Sequence, residues 1–158
     1  MNVMFQGNQV LDGRVSYNTQ VDKARFDLPD ATVVFDGSHA WVAPDTEAFP
    51  NARFHILTWP YFHAMMMKLD DPGAHLGTVK MRPLDGKPHK TTKLTFGEGV
   101  GDAPDDWYIV YQDPETGLMA GAAYIVTYGK DGEPEEPTIK MVRFHDYETS
   151  DGVTLPTH

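Results

Sequence analysis

The stretch ARFHILTWPYFHAMMMKL, residues 52–69, is the long apolar segment on which the fold of this chain depends. It combines several large aromatic residues with the chain's one methionine triplet, at positions 65–67. The sequence on both sides alternates apolar and polar residues, which is the pattern of half-buried β-strands. We therefore expect a helical element laid against a curved antiparallel sheet.

The helical element is predicted to consist of two pieces. Pro60 fits badly inside a continuous helix because it has no N–H and its ring clashes with the preceding turn. Asn51 or Asp45 is expected to begin the first piece. Thr58 is expected to cap a second piece, which holds Pro60 in its first turn and ends near Leu69. Apolar residues on nearly every side of the helical wheel predict burial on more than one face.

Turn signals divide the remaining chain into about nine strands. Asp36-Gly37 is predicted to form a type I′ turn between two short apolar runs, and Asp85-Gly86 is predicted to turn in the same way. Residues 118–128 are expected to form one long strand, whose small residues allow a bend or a close backbone approach. The predicted fold is mainly β (α+β): an antiparallel half-open β-barrel with a helical lid. A two-sheet sandwich is the alternative.

Bulk composition narrows the classes of protein. A length of 158 residues predicts a single domain over 1–158, and the strand-like ending at 152–158 predicts truncation at one or both ends. The net charge of -10 and the short basic runs argue against nucleic acid and anionic membrane as partners. Without cysteine the chain has no disulfide, thiolate zinc site or cysteine nucleophile. No apolar run reaches the roughly 18 residues of a membrane span, and no signal peptide is visible.

Several phrases of the chain resemble a known family. The hairpin FDG…WV at 35–42, the helix after it and the closing phrase DGVTLP at 151–156 resemble the bacterial lipoprotein-localisation-factor superfamily of LolA/LolB type. The runs GVGDAPDDWY at 99–108 and YIVTYG at 124–129 are similar to an uncharacterised branch found in extracytoplasmic lipoproteins. The likeness covers most of residues 24–157. This chain shows one obvious helical segment, and both of its termini look short beside the family pattern.

The resemblance implies a half barrel whose apolar concave face holds an acyl chain or another hydrophobic ligand. It also implies a periplasmic or otherwise extracytoplasmic location. The candidate ligand-binding residues are Trp41, Phe54, Trp59, Phe62, Met65, Met66, Trp107 and Tyr124. No cofactor and no metal is expected. The predicted partner is a lipid or hydrophobic ligand, and the alternative function is a structural or protein-interaction domain with a filled core.

The aromatic and methionine side chains of residues 54–67 fit either function. Methionine adapts to varied apolar shapes, which suits the wall of a ligand cleft. Protein interiors are close-packed, so plain core is the interpretation favoured two to one, roughly, over a cleft. A contiguous cavity beneath these residues would support the cleft.

Signals for catalysis are weak. His55 and His63 are eight residues apart, which is not the i, i+4 spacing of a helical metal site, and the other histidines are scattered. The carboxylate pairs at 70–71, 105–106 and 135–136 suit solvated loops better than a glycosidase. Asp102, Asp105 and Asp106 follow no EF-hand spacing. No serine lies in a nucleophile elbow, so the chain is predicted not to be an enzyme. A metal-dependent or carboxylate enzyme is the third hypothesis.

Overall fold

The computed structural model describes residues 1–5, 8–18, 20–130 and 138–158. These residues form a mainly β protein in which the paired strands are antiparallel, as the sequence predicts. They divide into two compact units, Met1–Ala64 and Met65–His158. None of the described sheets closes into a barrel, and the half-open barrel with a helical lid stays a prediction, as does the single domain over 1–158.

The N-terminal unit consists of a hairpin, a four-stranded sheet and one helix. Its elements are β1 (Asn2–Phe5), β2 (Asn8–Asp12), β3 (Arg14–Tyr17), β4 (Ala24–Asp27), β5 (Thr32–Phe35), β6 (Ala40–Ala43) and α1 (Ala52–His63). Strands β3 to β6 form a meander in chain order, and α1 contacts β4, β5 and β6. The period of two in each strand turns one set of side chains toward α1 and the other set away from it.

The core of the N-terminal unit lies between α1 and the inner face of this sheet. Phe26 and Val33 face each other across β4 and β5 and are completely buried, and Ile56 of α1 packs in the same cluster. The guanidinium of Arg53 donates to the carbonyl of Ser38 at 2.7 Å and lies 5.4 Å from the ring centroid of Phe35. These contacts join the first turn of the helix to the β5–β6 hairpin.

The predicted helix break at Thr58 is wrong. The helix begins after Asn51 as expected, although the side chain of Asn51 makes no capping hydrogen bond. Helix α1 continues through Pro60 to His63, and the short helix α2 (Met65–Lys68) follows after Ala64. A proline inside a helix costs about 3 kcal/mol because a hydrogen bond is lost. The ring of Pro60 is fully buried here, so apolar burial offsets that cost. None of the twelve residues of α1 is fully exposed, which confirms the predicted burial on more than one face.

The β5–β6 turn is shifted by one residue from the prediction. Asp36 N–H donates to the carbonyl of His39, so Gly37 and Ser38 are the central residues, and of these two only Gly37 has positive φ. The carboxylate of Asp36 accepts hydrogen bonds from the N–H groups of Ser38 and His39, both at 2.8 Å. The carboxylate of Asp36 thereby stabilises a turn that is not of the predicted type I′, which needs positive φ at both central residues.

The C-terminal unit contains a six-stranded sheet and a separate hairpin. After α2 its elements are β7 (Ala74–Leu76), β8 (Lys80–Leu84), β9 (Lys87–Phe96), β10 (Tyr108–Gln112), β11 (Met119–Tyr124), β12 (Lys140–Arg143), β13 (Tyr147–Ser150) and β14 (Val153–Pro156). The order across the sheet is β12-β11-β10-β9, with β7 and β8 on the far side of β9. The described residues therefore form fourteen strands where about nine are predicted, because several predicted strands are interrupted.

Strand β11 is shorter than the predicted strand over 118–128. Beyond Tyr124 the N–H of Ile125 donates to the carbonyl of Trp107, and Thr127 and Lys130 form a turn. The small residues within β11 behave as expected. A Cβ on Gly121 would lie 2.6 Å from the carbonyl oxygen of Val142 on β12, so glycine permits this close backbone approach.

Candidate functional site

Helix α1 holds three of the predicted ligand-binding side chains, Phe54, Trp59 and Phe62, in a cluster of rings around His55. His55 and Trp59, one turn apart, stack with their ring centroids 5.9 Å apart, and the indole N–H of Trp59 donates to Nδ1 of His55 at 3.0 Å. The rings of Phe49 and Phe54 contact the same imidazole at 5.2 and 5.4 Å. Trp59 in turn lies 6.4 Å from the ring of Phe62.

The protonation state of His55 follows from these contacts. Since Nδ1 accepts the indole hydrogen bond, the proton of the neutral imidazole lies on Nε2. Burial lowers the pKa of His55 below its ordinary value of 6.5. The neutral ring therefore orients Trp59 and closes the ring cluster.

A second histidine joins the end of α1 to β3. The hydroxyl of Tyr17 lies 2.6 Å from Nδ1 of His63, and the two rings meet edge to face at 5.9 Å. Burial raises the pKa of Tyr17, so the phenol stays protonated at neutral pH and shares a hydrogen bond with the imidazole. His55 and His63 thus have separate partners, and the helix does not bring them to one reactive centre.

Trp41 lies away from the ring cluster of α1. It pairs with Val34 across β5 and β6, and both residues alternate with the inner-face positions Val33 and Phe35. Its side chain is 59% exposed, and its indole N–H points to the carboxylate of Asp36 at 3.5 Å. The structure therefore separates Trp41 from Phe54, Trp59 and Phe62 by the thickness of the sheet.

Trp107 and Tyr124 lie on opposite faces of the six-stranded sheet. Tyr124 is buried and stacks on its cross-strand neighbour Tyr108 with the centroids 5.8 Å apart. Trp107 precedes Tyr108 in the chain, and its ring lies 5.0 Å from the ammonium of Lys93, an exposed residue of the other face. Strand alternation explains this separation, since neighbouring residues point to opposite sides of a sheet.

The methionines of α2 differ in exposure. Met65 is fully buried, Met66 is half-buried and Met67 is exposed. A four-residue helix offers one buried position per turn, so only part of the methionine triplet reaches the interior.

Among the described carboxylates of the C-terminal unit, Asp106 is the one whose pKa is raised by burial. Its Oδ1 accepts hydrogen bonds from the N–H of Thr127 at 2.6 Å and from the Thr127 hydroxyl at 2.8 Å. Burial raises the pKa of Asp106 despite these bonds. Burial and the charge of Asp106 also raise the pKa of Tyr124. Asp102 and Asp105 are exposed, and no group of three potential metal ligands occurs in the described part of the chain.

The β8–β9 hairpin carries a feature that the sequence argument missed. Five exposed cationic side chains lie along it: Lys80, Arg82, Lys87, Lys90 and Lys93. They are spaced two or more residues apart in sequence, so no basic run is visible, but antiparallel pairing brings them onto one hairpin. A count of cations per predicted hairpin would have found this cluster.

The one acidic residue of the β8–β9 hairpin, Asp85, forms a salt bridge with a residue outside the hairpin. Asp85 accepts two hydrogen bonds from the guanidinium of Arg143 on β12, both at 2.8 Å, which lowers the pKa of Asp85. Among described residues, no acidic side chain forms a salt bridge with Lys80, Arg82, Lys87 or Lys90. The hairpin therefore carries a cluster of positive charge on a chain of net charge -10, with Lys80, Arg82 and Lys87 on one face of the sheet and Lys90 on the other.

No protein-family model, no curated protein and no solved structure matches this chain. The resemblance to the LolA/LolB type accordingly stays a prediction. No helix among the described residues is long and apolar enough to cross a membrane.

Proposed function

We propose that this protein is a non-catalytic module that binds another protein through the edges of its six-stranded sheet. The observation that carries this proposal is the exposure of large apolar side chains at both edges. Three apolar side chains are exposed in the stretch from β7 to β8: Leu76 by 51%, Val79 by 64% and Met81 by 58%. At the β12 edge the exposed apolar side chains are Ile139 and Met141. Clustered apolar side chains at a sheet edge are typical of interaction surfaces, because edge strands also offer unpaired backbone groups.

The packing of α1 supports a surface function over an internal cavity. Ile56 is 1% exposed and Ala52 is buried with it against Phe26 and Val33. A helix face that fills the sheet beneath it leaves no room there for an acyl chain. The apolar segment that decides the fold is then accounted for by the core.

The arrangement of titratable groups supports a non-catalytic role. His55 binds Trp59, His63 binds Tyr17 and Asp106 binds Thr127, so each perturbed or half-buried group has its own structural partner. Catalytic sites usually bring several such groups together around one reacting position.

A peptide-binding assay tests the proposed function. The full chain is titrated into fluorescein-labelled extended peptides of acidic, neutral and basic composition, each alternating a test residue with valine, and anisotropy is recorded. We expect saturable binding of at least one peptide, with binding lost when Leu76 and Met81 are both replaced by aspartate. Absence of binding by every peptide, at concentrations where the protein stays folded, would overturn the proposal.

Apolar-ligand carriage is a second candidate, and one observation favours it. Phe54 and Trp59 remain half-buried, so part of their apolar surface is not covered by the N-terminal unit. Under this proposal the protein is an extracytoplasmic carrier of the kind that the LolA/LolB resemblance implies, and these side chains contact the acyl chain. Aromatic surfaces of this kind suit an apolar ligand.

Native mass spectrometry followed by organic extraction separates the two candidates. A co-purifying acyl species, together with saturable binding of a fluorescent fatty acid, would favour carriage. The Trp59→Ala variant should then bind the probe more weakly than Trp41→Ala, whose side chain lies on the other face of the sheet. A mass equal to that of the chain alone and no probe binding would favour the surface module.

A further inference from the structure

We infer that the β8 edge of the six-stranded sheet is a docking site for an acidic, extended segment of a partner protein, which adds as a further strand beside β8. The inference rests on the proposed function and names its surface and the chemistry of its partner. Strand addition of this kind combines backbone hydrogen bonds with side-chain pairs of alternating character.

The backbone of β8 is available on its outer side. Strand β8 pairs with β9, and across the described ranges no strand pairs with its other edge. The Asp85-Gly86 turn has φ of 50° and 77°, as in a two-residue type I′ hairpin, so Leu84 and Lys87 form its hydrogen-bonded pair.

Alternation along the ladder then assigns the remaining positions. The pair of Pro83 and Pro88 takes the non-hydrogen-bonded position, where neither residue needs an N–H toward the other. Arg82 and His89 exchange hydrogen bonds, and the pair of Met81 and Lys90 is non-hydrogen-bonded again. The N–H and C=O of Met81 consequently point outward, with the C=O of Pro83 beside them.

The side chains of β8 determine the pattern of the partner. Lys80 and Arg82 project from one face of the sheet, whereas Met81 projects from the other. A strand paired with β8 would place alternate residues opposite the two cations and the intervening residue near Met81. Opposite charges and apolar groups at such cross-strand positions stabilise pairing, so a segment that alternates carboxylates with apolar residues fits best.

Electrostatics favour an acidic partner over a second cationic or neutral one. Lys80, Arg82, Lys87 and Lys90 have no acidic partner in the described part of the chain, and Asp85 is held by Arg143. Exposed cations on an edge strand discourage indiscriminate pairing, and Pro83 limits its length. An acidic strand removes the first obstacle, since it supplies the missing countercharge. The outward backbone groups of β8 favour a strand over an anionic membrane as the occupant, because lipid headgroups cannot continue the backbone pairing of the sheet.

The test compares a decapeptide that alternates glutamate and valine with lysine–valine and threonine–valine peptides of equal length. We expect the glutamate peptide to bind most tightly and to weaken as salt rises from about 50 to about 500 mM. The double variant K80E/R82E should bind it about tenfold more weakly or worse. R14E/K23E, which changes the net charge equally at exposed sites of the N-terminal unit, should change binding by less than about twofold.

A backbone variant tests strand addition separately from charge. Met81→Pro removes an outward N–H without removing a bond to β9, so the chain should keep its urea midpoint within error while peptide affinity falls about tenfold. If Met81→Pro does not fold, K80E/R82E still decides the site.

The outcomes separate this inference from the proposed function. Binding of the threonine or lysine peptide in preference to the glutamate peptide, or binding unaffected by K80E/R82E, would overturn the acidic-strand inference and leave the surface module standing. Binding to vesicles of phosphatidylglycerol and phosphatidylcholine, lost in K80E/R82E and without any peptide binding, would overturn it in favour of a membrane surface. No binding to any peptide would overturn the proposed function itself.

Discussion

The four-stranded sheet of the N-terminal unit buries one of its faces, whereas the six-stranded sheet of the C-terminal unit buries side chains on both. In the first sheet Phe26 and Val33 are buried and the alternate residue Trp41 is exposed. In the second, Tyr108 and Val110 are buried on one face and Tyr111 and Ala123 on the other. The difference follows composition: β4 (ARFD) alternates apolar and polar residues, whereas β11 (MAGAAY) is apolar or small throughout and β10 has one polar residue, Gln112, at its end.

The two sheets therefore differ in where they expose apolar side chains. Helix α1 covers the apolar face of the one-sided sheet, and the outer face carries polar groups together with Val34 and Trp41. The two-sided sheet buries most of its side chains at β10 and β11. It exposes large apolar side chains at or beside its edge strands β7, β8 and β12. An interaction surface is therefore expected on the C-terminal unit.

The largest expected effect tests the one-sided burial of the first sheet. Phe26→Ala removes a fully buried ring and should lower the free energy of unfolding by about 3–5 kcal/mol. Trp41→Ala removes a ring from the outer face of the same sheet and should change it by less than about 0.5 kcal/mol. Urea unfolding followed by circular dichroism measures both. Equal losses in the two variants would show that both faces of this sheet are covered.

The next effect tests the close packing of the second sheet. Gly121→Ala places a Cβ 2.6 Å from a backbone oxygen of β12 and should cost about 2–3 kcal/mol, because backbone cannot move aside as a flexible side chain does. Gly77→Ala is the matched control, since its nearest heavy atom lies at 3.5 Å, an ordinary contact. The unfolding free energies of the two variants are compared by urea titration. An unchanged unfolding free energy in Gly121→Ala would contradict the close approach of β11 and β12.

A smaller effect is expected at the end of β11. Thr127→Val removes the hydroxyl that donates to Asp106 and should cost about 1–1.5 kcal/mol at neutral pH. Thr127→Ser keeps the donor and should lose less. Since burial raises the pKa of Asp106 in the folded protein above its ordinary 3.8, this group's contribution to stability falls as pH rises from 3.8 through the folded pKa. The loss of the hydroxyl should raise that pKa further, which a carboxyl-carbon NMR titration would detect. An unchanged titration in Thr127→Val would contradict the hydrogen bond.

The smallest expected effect is a pH dependence in the first sheet's helix. Burial lowers the pKa of His55 in the folded protein below 6.5. As the pH falls below 6.5, His55 is therefore protonated in the unfolded chain while it is still neutral in the folded protein. Stability from this group is therefore complete above pH 6.5 and is lost as pH falls below it. His55→Gln keeps an acceptor for Trp59 but cannot titrate, and its unfolding free energy should fall less than the wild type's between pH 7.5 and 5.5. Identical slopes in the two proteins would exclude His55 as a source of the pH dependence.

Much of the architecture was predictable from local pattern. Strand alternation, the Asp-Gly turn at 85–86 and the apolar segment at 52–69 each correspond to an element of the expected type. The position of the helix break was wrong, because the rule against internal proline omits the burial that Pro60 gains. The candidate site was harder to predict: Trp41, Phe54, Trp107 and Tyr124 are all apolar rings, and pattern alone did not say which face of which sheet each would join.

The sequence by itself determined that this chain forms antiparallel β-structure around one helical segment, because residue periodicity and turn chemistry act within a few residues. Only the tertiary structure decided which side chains meet. The pairing of β8 with β9 gathers cations that are dispersed in sequence, and the Asp85–Arg143 pair joins residues 58 positions apart. Such contacts depend on strand register and packing across the whole sheet, and they are what defines the cationic edge.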